Sequence, residues 1–208
     1  MRVLRFAATI LLIAGCALTC RAGYMHAKAG LAGVLIRRAW EHSLQSGKAE
    51  APWPSTDLRP IARLQIPRLG YDEIVLEGAT PRTLAFGPTH MLSGAGFGEP
   101  GNLLLAGHRT SWFLPLEGIA QNDTIQISWF DWRRAQHERT YRVSLIRVVD
   151  ATDFTMLAPT AEDALTLVTC YPFGRGPGSP QRYMVRALPA EPGGLGITSN
   201  LWSSGARN

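Results

Sequence analysis

From Leu58 to Leu188 the chain alternates short apolar runs with turns rich in glycine and proline, and no run there has room for a long helix. Ile61 to Ile66 alternates apolar and polar residues, Pro67-Arg68-Leu69-Gly70 reads as a turn, and Tyr71 to Leu76 reads as a second strand. Further strands are expected over Asn102 to Ala106, Thr124 to Trp129, Thr140 to Val149, Leu165 to Cys170 and Arg182 to Leu188. Pro81 suits the first turn of a short helix over Thr80 to Phe86, and Ser111 to Gly118 reads as a helical turn. Gly87 to Gly101 is expected to be loop, and Thr155 to Asp163 loop or helix. Seven or so short strands with little helix predict an all-β antiparallel sandwich or barrel.

The N-terminal part is different. Arg2 and Arg5 precede an uncharged run from Phe6 to Cys20, which Arg21 closes. That run is shorter than the roughly 20 residues of a spanning helix, but flanking arginines can snorkel and Ala22 to Met25 can extend it. It reads as an uncleaved membrane anchor. Ile13-Ala14-Gly15-Cys16 resembles a lipobox, so a lipidated Cys16 is the alternative. Residues 27–44 have helical spacing, and the polar, proline-containing stretch 46–57 reads as a linker. The expected division is an anchor over 1–25, a helix and linker over 26–57, a β-domain over 58–189 and a flexible tail over 190–208.

The formal charge of +5 is spread over separate segments, with acidic residues interleaved, which speaks against a nucleic-acid site. Of three cysteines, Cys16 and Cys20 lie in the apolar run, so no disulfide framework or zinc cluster is available. Cys170 is the only cysteine of the β-domain and stands at the end of a strand, with Pro172 two residues on. His108 ends the strand Leu103-Leu104-Leu105-Ala106, and Arg182 opens the last one. If these strands are neighbours, the three side chains meet at one sheet edge. A thiol is mostly protonated at neutral pH, and a nearby imidazole can stabilise its thiolate and later protonate a leaving amine. A guanidinium keeps its proton and serves as a fixed donor to a developing oxyanion. Spacing alone leaves this cluster undecided between a reactive site and structural residues. Thr169 stands beside the thiol as a candidate substrate-binding residue. His90 and Arg109 read as structural, and Arg175 is the rival to Arg182 on a loop too glycine-rich to be a rigid donor.

A resemblance decides between these readings. Thr166-Leu167-Val168-Thr169-Cys170 resembles the cysteine signature of sortases, Leu104-Leu105-Ala106-Gly107-His108-Arg109 their histidine motif, and Gln181-Arg182-Tyr183-Met184-Val185 their arginine strand. Glu99-Pro100-Gly101-Asn102, Phe113-Leu114-Pro115-Leu116 and Asn122-Asp123-Thr124-Ile125 are similar too. Tyr171-Pro172-Phe173, Ala27-Lys28-Ala29 and Ala39-Trp40 resemble the class found in Gram-negative proteobacteria. The resemblance implies a closed eight-stranded sortase-type β-barrel with short helices, preceded by the membrane-anchor helix and held outside the cytoplasm at the inner membrane. It implies a cysteine transpeptidase whose partners are a client protein bearing a Leu-Pro-x-Thr-Gly-like signal and an amine acceptor; no cofactor is expected, and no carboxylate cluster suggests calcium, although some sortases bind it. Cys170 is then the nucleophile, His108 the proton-transfer group and Arg182 the oxyanion donor. The rival readings are an L,D-transpeptidase-like cysteine enzyme, whose Ser-x-Gly-Cys motif Val168-Thr169-Cys170 does not fit, and a membrane-tethered binding module without activity.

Overall fold

The computed structural model describes residues 2–47, 50–131, 133, 135–174, 176, 178–190 and 196–197; the side chains of residues 2–10, 22, 25, 26, 29, 196 and 197 lie outside this description. The element order is α1 (Arg2–Ser46), β1 (Pro60–Ile66), β2 (Tyr71–Glu77), α2 (Pro81–Leu84), β3 (Thr89–His90), β4 (Asn102–Ala106), β5 (Thr124–Phe130), β6 (Gln136–Asp150), β7 (Ala164–Tyr171), β8 (Gln181–Pro189) and β9 (Gly196–Ile197). Single 3-10 turns cover Pro67–Leu69, Leu114–Gly118 and Thr155–Leu157.

The strands lie in the order β5-β1-β2-β3-β4-β7-β8-β6, and β6 pairs back onto β5, which closes an eight-stranded barrel. One long strand makes closure possible. The first half of β6, up to Arg142, pairs with β5, and from Tyr141 on it pairs with β8. A register shift between Val143 and Leu145 lies near the changeover, and an irregularity there bends a strand as a corner requires. The β9 residues Gly196 and Ile197 add a short pairing to Glu138 and His137 at the start of β6. The rest of the expected flexible tail, 191–195 and 198–208, lies outside the described residues.

Alternation along each strand sends one face inward. In β1, Ala62, Leu64 and Ile66 are buried between partly exposed neighbours. They join Leu105, Phe113, Ile125, Ile127, Leu165, Leu167 and Val185 in the interior core. Gly70, at φ 60°, takes the left-handed position that the β1–β2 turn needs. Two features depart from the antiparallel expectation. The pairs β2–β3 and β4–β7 are parallel, and β3 forms within the stretch read as loop. β3 has only two residues, too few to show a period, and its pairing comes from β2 and β4 on either side.

The helix expected over 27–44 is the C-terminal part of one continuous α1. Its last turns dock on the barrel: Ile36 and Trp40 bury against Leu58, Ile74 and Leu76, and Trp40 sits 5.4 Å from Phe130. Arg37 adds hydrogen bonds to the Asp72 carbonyl and the Glu73 carboxylate. Farther from the barrel, Leu11, Leu12, Ile13 and Leu18 are exposed. Among the described residues no helix is long and apolar enough to cross a membrane. A third of the expected anchor run, Phe6 to Ile10, has side chains outside the description.

Candidate active site

β7 brings Cys170 to the outer face of the barrel. Leu165 and Leu167 point into the interior core, so Val168 and Cys170, of the opposite parity, point outward. The antiparallel register sets Cys170 directly opposite Arg182 and Val168 opposite Met184. Side chains so paired have Cβ atoms roughly 4.5–5.5 Å apart on one face. On its other side β7 runs parallel to β4, with Ala106 level with Val168. The Gly107 amide continues that ladder to the Val168 carbonyl at 3.2 Å. His108 follows one residue later and lines the same groove as Cys170 and Arg182. Three distant points of the chain thus reach one groove at the ends of three adjacent strands.

The turn that carries His108 is fixed from within. The His108 carbonyl accepts hydrogen bonds from the amides of Ser111 at 3.3 Å and Phe113 at 2.9 Å. Phe113 is fully buried, and its ring lies so close to Gly107 that an added Cβ would meet Cγ at 2.7 Å. Glycine is thus required before the histidine by close packing. The imidazole itself is exposed. Thr169 is buried, and its hydroxyl donates to the Gly107 carbonyl at 2.7 Å, which bolts the cysteine strand to the histidine turn. Arg182 Nη1 donates to the carbonyls of Ser179 at 3.1 Å and Gln181 at 2.9 Å, folding the guanidinium back over the start of β8.

These side chains line a groove of about 350 Å³ that also takes in Thr169. Its floor is apolar: Val168 and Met184 pack with Met156, and Met91 and Ala106 lie against them. One wall is the segment between β6 and β7, through Phe154 and Leu157; the other includes Leu84 of α2. α2 is held by a reciprocal capping box between Thr80 and Thr83. Such a groove suits an extended peptide with apolar side chains, delivered to a thiol at one end.

The remaining candidates lie elsewhere. His90 is buried, bonds the Ala95 carbonyl at 2.9 Å and packs on Phe97, a structural role. Arg109 is buried and donates to the Gly176 carbonyl, tying the histidine turn to the loop after β7. Arg175 lies outside the described residues. The groove walls were not legible beforehand, since Leu84, Phe154 and Leu157 come from segments with no chemical signature. Among the described residues no group of histidine, cysteine and carboxylate side chains could hold a metal ion.

A closed barrel with a cysteine, a histidine and an arginine around one outer groove has the layout of a β-barrel cysteine enzyme. The Sortase domain family matches residues 64–190, and the chain belongs to that family. It is similar to Sortase D of Bacillus subtilis (strain 168), 27% identical over 146 residues that cover 70% of this chain and 71% of that protein. Among solved structures it is similar to the catalytic domain of B. anthracis SrtD, with 29% identity, TM-score 0.53 and coverage of 64% of this chain and 88% of that one. The Clostridium perfringens Sortase D5 transpeptidase shares the fold at 24% identity and TM-score 0.56, covering 73% of this chain and 89% of that one.

Proposed function

We propose that the chain cleaves a Leu-Pro-x-Thr-Gly-like sorting signal between Thr and Gly and transfers the new acyl end to an amine. The observation that carries this reading is the register that sets Cys170 opposite Arg182, with His108 lining the same groove. The Cys170 thiolate attacks the threonine carbonyl carbon and forms a C–S bond. Arg182 donates to the oxyanion of the tetrahedral intermediate, where fixed donors contribute most. His108 gives its proton to the departing glycine nitrogen as the C–N bond breaks, leaving a thioester. An incoming amine then attacks the thioester, His108 takes the amine proton, a new C–N bond forms and the thiolate leaves. Thr169 holds the histidine turn and lines the substrate groove. The chain's own residues supply each step.

Tyr171-Pro172-Phe173, Ala27-Lys28-Ala29 and Ala39-Trp40 favour the class of Gram-negative proteobacteria within the family. The catalytic domain then faces the periplasm, tethered to the inner membrane by α1. The exposed Leu11, Leu12, Ile13 and Leu18 on that helix support a lipid environment, because water would leave them uncovered.

The test uses the full chain in detergent micelles with Leu-Pro-x-Thr-Gly peptides and a glycine-based amine. Mass spectrometry should find a peptide thioester on Cys170 and a joined product. A panel of such peptides giving neither adduct nor product would refute the substrate class.

A further inference from the structure

Asn102 is a polar side chain, 2% exposed, that none of the proposed chemical steps uses. It opens β4, the strand that ends at the His108 turn. Its Nδ2 donates to two backbone carbonyls, of Met156 at 3.0 Å and of Ala158 at 3.0 Å. Its Oδ1 accepts from the Thr166 hydroxyl at 2.7 Å. Two carbonyls can only face the amide nitrogen, so this network also fixes which way the amide is turned. Thr166, fully buried, lies on the cysteine strand four residues before Cys170. Arg186 of β8 adds a second donor to the Met156 carbonyl. Two barrel strands therefore hydrogen-bond one short piece of the segment between β6 and β7, and a third orients the amide that holds it.

That piece is the groove wall. Met156 is buried against Val168 and Met184 on the floor, while Phe154 and Leu157 line the groove. Phe154 is 66% exposed, a large apolar surface beside the thiol that a bound apolar side chain would cover. We propose that Asn102 is a positioning residue that holds this wall at a fixed distance from the thiol and imidazole, so that the groove selects an apolar substrate side chain on the N-terminal side of the scissile bond. This inference rests on the peptide-substrate reading above. Because β4 carries both Asn102 and the turn of His108, wall and proton-transfer group share one rigid support. A fully hydrogen-bonded buried amide specifies one loop position, whereas apolar contacts alone tolerate sliding.

The test compares the full-length protein with Asn102→Ala and Thr166→Val. Thr166→Val keeps the side-chain shape and removes only the hydroxyl that orients the amide, so it decides the matter if Asn102→Ala does not fold. Discrimination between Leu and Ala at the wall-facing substrate position, at least about tenfold in the native protein, should fall to about threefold or less, through KM more than kcat. A readout free of the peptide chemistry is the labelling of Cys170 by acetyl-leucyl chloromethyl ketone relative to iodoacetamide. The ketone rate should drop by about fivefold or more while iodoacetamide labelling stays within about twofold, because only the ketone uses the wall. Amide hydrogen exchange at Thr155 to Ala158 should speed up in both variants. An unchanged labelling ratio in Thr166→Val, or an equal fall for both reagents, would overturn the assignment. If the native protein processes no peptide, the substrate reading fails on its own, and the labelling ratio still decides the role of Asn102.

Discussion

Gly107→Ala tests how the histidine turn is built. The added methyl would lie 2.7 Å from Phe113 Cγ, whereas ordinary contact begins near 3.4 Å, so ring and turn must separate by about 0.7 Å. The ring has little room to give: Phe113 is fully buried and lies 6.4 Å from Tyr71 by ring centroids. Overpacking of this kind costs about 1–3 kcal/mol, which for a domain of this size lowers Tm by about 2–12 °C. The strain also reaches the chemistry, because the Phe113 amide is bonded to the His108 carbonyl. A misplacement near 1 Å costs on the order of a hundredfold in rate, so kcat/KM should fall by about ten- to a hundredfold. Thermal unfolding and peptide-joining kinetics measure the two effects. Adding Phe113→Leu to Gly107→Ala should relieve the clash, giving a favourable coupling of at least about 0.5 kcal/mol in a double-mutant cycle. A Gly107→Ala protein with native Tm and native turnover would refute the packing argument.

Other perturbations separate chemistry from scaffold. Cys170→Ala should abolish the thioester adduct and turnover with unchanged Tm; retained turnover would mean another nucleophile. Arg182→Lys keeps the charge but loses the planar fork, and kcat/KM should drop by about 10²–10³-fold; a loss under tenfold would remove Arg182 from the oxyanion. Hydrogen bonds from Arg68 hold the Asp123 carboxyl below its ordinary value of 3.8. Its stabilisation is therefore complete above about pH 4 and is lost as pH falls through the lower folded value, because the unfolded chain takes up the proton first. The stability gap between native protein and Asp123→Asn, followed by urea unfolding, should shrink below pH 4; a gap independent of pH would show that this carboxylate is not the source. A chain beginning at Ser55 lacks Ile36 and Trp40 and should lose at least about 3 kcal/mol relative to one beginning at Leu31. Equal melting temperatures would mean that α1 does not help hold the barrel.

The strand pattern, the turn at Pro67 to Gly70 and the short helix begun by Pro81 were all legible, because they depend on local backbone preferences and a period of two. Cys170, His108 and Arg182 stood out as candidates because each lies at a strand end, but spacing left their role undecided, and only the resemblance of the motifs around them chose between the readings. What no local pattern encodes is register. Whether the turn of His108 reaches the groove of Cys170 depends on β4 pairing parallel to β7, and strands whose paired residues, such as Asn102 and Ala164, lie far apart in the chain carry no mark of their partner. β3 escaped notice for the same reason, because two residues become a strand only between two existing neighbours. The groove wall belongs to the tertiary structure too: Phe154 and Leu157 look like any loop residues until Asn102, more than 50 positions earlier, hydrogen-bonds the backbone between and beyond them. Sequence set the chemistry available and the barrel class. The folded chain alone decided which side chains share a surface, because pairing energy accrues only after distant segments have met.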